Sequence, residues 1–142
     1  MELLVYSRAA IERLPAHDVG HVIISISSAQ DDVAKLPSSP CCRGVLRLFF
    51  ADVAHPERHP ELKAFSDADA RAIWSFVLEH RASIERIVVH CDAGWSRSPA
   101  VAAALAKTLG QSDAEYFRRY HPNLHVYRTL LDGIAAMSHS GQ

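Results

Sequence analysis

The tripeptide Ile87-Val88-Val89 restricts the possible folds more than any other part of this sequence. It shows no polar alternation, so both of its faces must be buried, as in a central strand of a parallel sheet. Parallel strands need long crossover connections, usually helices, that cover the sheet. The flanking sequence supplies them. Ser66 reads as the N-cap of a helix with Asp69 at its third position and Phe65 and Ala70 at staple positions. Ala70, Ile73, Trp74, Val77 and Leu78 then fall at helical spacing on one face. Beyond the tripeptide, Ser98-Pro99 opens an alanine-rich helix that Gly110 stops.

The rest of the chain fits the same plan. Residues 3–6, 21–26 and 45–50 read as strands. Ser7 caps a short helix that runs to Leu14 ahead of Pro15. Residues 27–44, with Pro37, Pro40 and Gly44, and residues 51–65, with Pro56 and Pro60, read mainly as loops. Ser112-Asp113-Ala114-Glu115 reads as a capping box, His121-Pro122-Asn123 as a turn, and residues 125–137 as a last helix. The expected fold class is α/β: a short, mostly parallel central sheet of about four to five strands, flanked by helices on both faces.

A chain of 142 residues suits one domain spanning 1–142. Its formal net charge of -1 offers no global basic field, so no nucleic-acid partner is expected. No apolar run approaches a membrane span, and Glu2 stands where a signal peptide would be positive. The odd, small set of cysteines, Cys41, Cys42 and Cys91, fits a reducing compartment rather than a disulfide framework. A cytoplasmic, soluble protein is expected. Cys41 and Cys42 read as small apolar fillers before a strand, and the sharper alternative is a redox partnership with Cys91.

The segment 91–97 lies where open α/β sheets bind ligands, between the carboxyl end of a buried strand and a helix N-terminus. Backbone N–H groups of such a loop converge on an anion, and the helix dipole adds to the field. Asp92, Ala93, Gly94, Trp95, Ser96 and Arg97 are therefore the expected phosphate-binding residues. Gly94 admits backbone angles that side chains resist, and Arg97 offers a planar fork matched to phosphate oxygens. The same field favours the thiolate of Cys91, a strong nucleophile directly below the bound phosphorus.

His90-Cys91-Asp92-Ala93-Gly94-Trp95-Ser96-Arg97-Ser98 resembles the signature His-Cys-x-x-Gly-x-x-Arg-Ser/Thr of the protein tyrosine phosphatase superfamily. The short chain resembles its compact dual-specificity-like branch, including small bacterial members. The resemblance implies a cysteine-dependent phosphatase that hydrolyses phosphate monoesters of phosphoproteins, on tyrosine alone or with dual specificity, through a phosphocysteine. It implies that phosphate, sulfate or vanadate would occupy the loop, and that Ser98 stabilises the departing thiolate. His90 would hold the loop by hydrogen bonds. The absence of lysine from the loop, together with Asp92, disfavours a highly anionic inositol phosphate. RNA 5′-phosphatase activity stays open within the superfamily.

The superfamily also uses an aspartic acid from a separate loop. Asp52 follows strand 45–50, at the sheet edge expected to carry Cys91, and is the first candidate for the general acid. Asp67 and Asp69 fit helix capping better, and Asp31 and Asp32 belong to an earlier loop. His55 and His59 are spaced like a metal pair, but Pro56 and Pro60 break the helix such a pair needs, so no metal and no cofactor are expected. Two other functions share a cysteine loop after a strand: a rhodanese-like sulfurtransferase, and an inactive phosphate-binding interaction module.

Overall fold

The computed structural model describes residues 1–140. Its strands are β1 (Glu2–Ser7), β2 (His21–Ser27), β3 (Cys42–Phe49) and β4 (Arg86–Cys91). Its helices are α1 (Arg8–Arg13), α2 (Asp67–His80), α3 (Arg97–Thr108), α4 (Ala114–Arg119) and α5 (Leu124–Ser140). The strands form one four-stranded sheet in the order β1-β4-β2-β3, and every pairing is parallel. The apolar run 87–89 is central as expected: Val88 pairs with Leu4 on one side and Ile23 on the other.

Alternation along the strands assigns each face a different cover. Val22, Ile24, Ile26, Ile87, Val89 and Cys91 point into the main core, with Ile73 and Val77 of α2, Ala100, Val101, Ala104 and Leu105 of α3, and Val126 and Leu130 of α5. Ile23 and Val88 point to the opposite face, where Ile11 of α1 and Ala34 cover them. α2 and α5 approach closely where Gly133 faces Ala70; a Cβ at Gly133 would lie 2.7 Å from the Ala70 Cβ.

Local signals for helix ends were accurate where they were self-contained. Ser66 and Asp69 form the expected reciprocal capping box of α2, Ser7 caps α1, and Gly110 follows α3 with φ +81°. At α4 the expected capping box is absent. Asp113 makes no side-chain cap bond and instead accepts the Tyr127 hydroxyl from α5. Burial first, and this carboxylate second, push the Tyr127 phenol up to about 12.

Two further expectations are corrected. β3 starts at Cys42, inside the stretch read as loop, because His21 pairs with Cys42 and a register shift then sets Val22 beside Gly44. On α2, Leu78 is 50% exposed while Phe76 is buried. Gly44 is the reason: without a Cβ it leaves room for the rings of Phe76 and His80, which would stand 3.1 Å and 2.9 Å from a Cβ there. The helix therefore rolls its Phe76 edge toward β3 and lifts Leu78 away.

Candidate active site

Because the sheet is parallel, the ends of β1, β2, β3 and β4 share one edge. Four segments meet there: Ser7-Arg8, Ser28, Phe50 to Asp52, and the loop from Cys91 to Ser98. The loop is braced from the β1 side. Arg8 N donates to the Asp92 carbonyl at 3.1 Å, and Gly94, at φ +67°, lies so close to Ser7 that a Cβ would come within 2.6 Å of its backbone nitrogen. Any side chain at residue 94 would meet both a left-handed backbone and a fixed neighbouring strand.

Cys91 is buried, and its sulfur accepts from Gly94 N at 3.2 Å and Ser98 N at 3.4 Å and lies 3.0 Å from Ser98 Oγ, which becomes a third donor when the sulfur is a thiolate. Such a shell stabilises negative charge on sulfur, and the N-terminus of α3 directly behind it adds to the effect. Among the described residues, the N–H groups of Ala93, Trp95 and Ser96 donate to no protein acceptor. They remain available to an anion over the loop.

Arg97 is only 6% exposed. Its Nη1 is anchored by the Phe50 carbonyl at 2.9 Å and Ser28 Oγ at 3.0 Å. Its Nη2 meets Asp92 Oδ2 at 3.2 Å. The ends of β2 and β3 thus orient the guanidinium, and the one carboxylate of the loop occupies part of its fork. Asp92 is therefore placed as a competitor for Arg97 rather than as a donor to phosphate, although its backbone belongs to the loop.

His90 and Cys91 are adjacent, so their side chains leave opposite faces of β4. Register explains what His90 meets. His90 lies beside Ser25, and Ser25 beside Arg47, in one row across three strands. Arg47 Nη1 donates to Ser25 Oγ at 3.3 Å, Ser25 Oγ lies 2.6 Å from His90 Nε2, and His90 Nδ1 lies 3.4 Å from the Cys91 carbonyl. Burial chiefly, with Arg47 adding, holds the imidazole below its ordinary pKa, against the opposing Cys91 carbonyl and Asp92. A carbonyl can only accept, so a neutral ring places its hydrogen on Nδ1 and receives the Ser25 hydroxyl at Nε2. His90 thereby ties the Cys91 backbone to the sheet from beneath.

Asp52 reaches the same edge. Its Oδ1 accepts Ser96 Oγ and Asn123 Nδ2, each at 2.8 Å. Among the described residues Oδ2 has no hydrogen-bond partner. Asn123 is buried, donates its backbone N–H to the Ser96 carbonyl at 3.1 Å, and accepts Val126 N on its own Oδ1 at 3.1 Å. Sequence reasoning saw residues 121–123 only as a turn. The usable signal was an asparagine one position before an apolar-periodic helix, which is the signature of an N-cap.

The side chains of the remaining candidates are engaged elsewhere or exposed. Asp69 is committed to the α2 cap and to Lys63, and Asp32 to Arg8. Trp95 is 54% exposed and packs edge-on against Tyr120. His55 and His59 pair with Glu57 and Glu61, and no group of three His, Cys, Asp or Glu side chains among the described residues is arranged to hold a metal. Cys42 starts β3 level with His21 and Arg86, five residues before Cys91 along β4, a separation of about 16 Å at strand rise. That distance removes the redox partnership. Among the described residues, no helix is long and apolar enough to cross a membrane.

No protein-family model matches the sequence, and no curated protein matches it. Solved structures do match in fold. The structure of human DUSP28 is 19% identical, with a TM-score of 0.60 over 97% of this chain and 94% of that one. PTPMT1, solved in complex with PI(5)P, is 17% identical, with a TM-score of 0.60 over 99% and 95%. A human tyrosine phosphatase-like serine/threonine/tyrosine-interacting protein is 20% identical, with a TM-score of 0.56 over 84% and 78%. The chain has the fold of the dual-specificity phosphatases.

Proposed function

We propose that this protein is a cysteine-dependent phosphatase of the dual-specificity type, acting on phosphate monoesters of phosphorylated proteins or peptides. One observation carries the reading: the Cys91 sulfur sits under three donors, at the base of a loop whose rim holds Arg97. A rhodanese-like transfer has no use for a carboxylate facing the loop, since sulfite leaves without needing a proton, and an inactive module has no need of the shielded sulfur.

In the first step the Cys91 thiolate attacks phosphorus, an S–P bond forms, and the P–O bond to the leaving group breaks. The leaving oxygen takes a proton from Asp52, whose two donors on Oδ1 leave Oδ2 as the atom that carries it. Arg97 and the loop N–H groups hold the phosphoryl oxygens throughout. In the second step water attacks phosphorus and gives its proton to Asp52. The S–P bond breaks, and Ser98 Oγ, 3.0 Å from the sulfur, stabilises the departing thiolate.

Protein substrates fit this loop better than an inositol lipid, since Asp92 stands beside Arg97 and the loop has no lysine. The test is turnover of p-nitrophenyl phosphate and of phosphotyrosine and phosphothreonine peptides, set against thiosulfate as sulfur donor. Phosphate release from the esters without thiocyanate formation supports the reading. Sulfur transfer, or inertness toward every ester, overturns it.

A further inference from the structure

A groove of about 560 Å³ begins at Asp52 and Ser96 and runs along the first turns of α5. It opens from the Ser96 side of the phosphate loop, beside the carboxylate of Asp52. Its outer wall carries His121, His125 and Arg128. The last two are three residues apart in α5 and so share a face. Arg128 is exposed and has no ion-pair partner among the described residues. His125 donates to the Phe65 carbonyl at 2.9 Å, which fixes its ring in the wall. That bond uses the one N–H of a neutral ring, so of the two imidazoles His121 is the one left to donate to a ligand. α5 runs for 17 residues and turns its positive end toward the groove, and Asn123 satisfies the Val126 N–H with its side chain and the Tyr127 N–H with its carbonyl.

The chemistry next door decides what enters. In an in-line displacement the leaving oxygen departs on the side away from the Cys91 sulfur and collects its proton from Asp52. The body of the leaving group therefore starts at the inner end of the groove. We infer that the groove is a subsite for an oxyanion carried by the leaving group, a second phosphoryl or a carboxylate group in a phosphopeptide, with Arg128 as its permanent cation. This rests on the phosphatase reading for its direction. A polyanionic nucleic-acid backbone suits it less well, because Asp52 and Glu57 line the same groove and the chain carries a net charge of -1.

The experiment compares three phosphopeptides of one length, bearing near the scissile phosphate a second phosphate, a glutamate or a glutamine. With wild-type enzyme, kcat/KM should rise about two- to fivefold from glutamine to glutamate, the size of one exposed charge contact, and at least as much for phosphate. Arg128→Gln should bring the ratio close to one, and Arg128→Glu should invert it. Affinities of the Cys91→Ser protein for the same peptides, measured by calorimetry, should follow the same order without any turnover. Equal wild-type values for the three peptides, or a preference untouched by Arg128→Glu, overturn the subsite. So does faster turnover of a 5′-phosphorylated oligoribonucleotide than of every peptide. If wild-type enzyme hydrolyses none of them while Cys91→Ser keeps the binding order, the phosphatase reading falls and the anion subsite stands.

Discussion

The amide of Asn123 holds the Asp52 carboxylate with its nitrogen, at 2.8 Å, and the first turn of α5 with its oxygen, at 3.1 Å. One side chain thus joins a helix cap to the proposed acid. Asn123→Ala removes both bonds and should cost about 1 kcal/mol of stability as a lost cap. Asn123→Asp keeps a capping oxygen but sets a carboxylate against Asp52. Both should slow substrates with poor leaving groups more than activated aryl phosphates. An equal loss on the two substrate types, in both variants, would reduce Asn123 to a structural cap.

Asp52→Asn should lower the rate by roughly 10²–10⁴-fold for poor leaving groups. The defect should shrink for p-nitrophenyl phosphate, and the alkaline limb of the rate profile should flatten. Phosphoenzyme should still form, because attack at phosphorus does not use Asp52. An unchanged profile with equal rates on both substrates would exclude the assignment.

Cys91→Ser should abolish turnover while retaining binding of phosphate esters, since serine keeps the size but not the nucleophilicity. Arg97→Lys should also be severe, because a point charge cannot hold the Phe50 carbonyl and Ser28 while facing two phosphate oxygens. Activity within tenfold of wild type in either variant removes the corresponding role.

Asp92→Asn tests the competition at Arg97. The carboxylate lies 3.2 Å from Nη2 and 3.4 Å from Ser28 Oγ. Its neutralisation should tighten inhibition by phosphate or vanadate by about two- to fivefold, as expected for one partly exposed charge contact. Weaker inhibition would show that Asp92 helps to hold the loop open instead.

Stability should depend on pH through His90. Burial lowers its pKa from the ordinary 6.5, so between the folded value and 6.5 the unfolded chain binds more protons. Stability therefore rises with pH across that window and is lost as the pH falls through it, by at most about 1.4 kcal/mol per pH unit per histidine. His17, lowered by burial and then by His21 and Arg86, acts in the same direction. Urea midpoints from pH 7.5 to 5.0 should slope less in His90→Gln than in wild type. Parallel slopes would assign the effect to His17 alone.

What the sequence disclosed follows from distance along the chain. Ser66 with Asp69, and Cys91 with Arg97, are complete within a few residues, so spacing alone exposes them. Arg97 with Ser28, and Asp52 with Asn123, are 69 and 71 residues apart, and only strand order brings them together. The same holds for the row Arg47, Ser25 and His90, which needs the register of three strands. Leu78 was misplaced because periodicity defines a helix face but not its rotation, and Gly44 on a distant strand sets that rotation. The position of Asp52 at the edge that carries Cys91 was legible because parallel strands expose their ends at one edge, a rule that needs topology but no coordinates.

The strand order also bears on how the chain matures during synthesis. β1 hydrogen-bonds to β4 and to no other strand of the sheet, so its partner is made more than eighty residues later. β2 and β3 are consecutive and can pair as soon as both have left the ribosome. β1 must wait with Leu3, Leu4 and Val5 uncovered, and Ser7 and Arg8 wait with it. The brace on Gly94 and Asp92 closes only when β4 docks between β1 and β2. A nascent chain stalled before β4 would therefore carry three strands with an open seam and without the cover of α3 and α5, the form on which a holding chaperone would act.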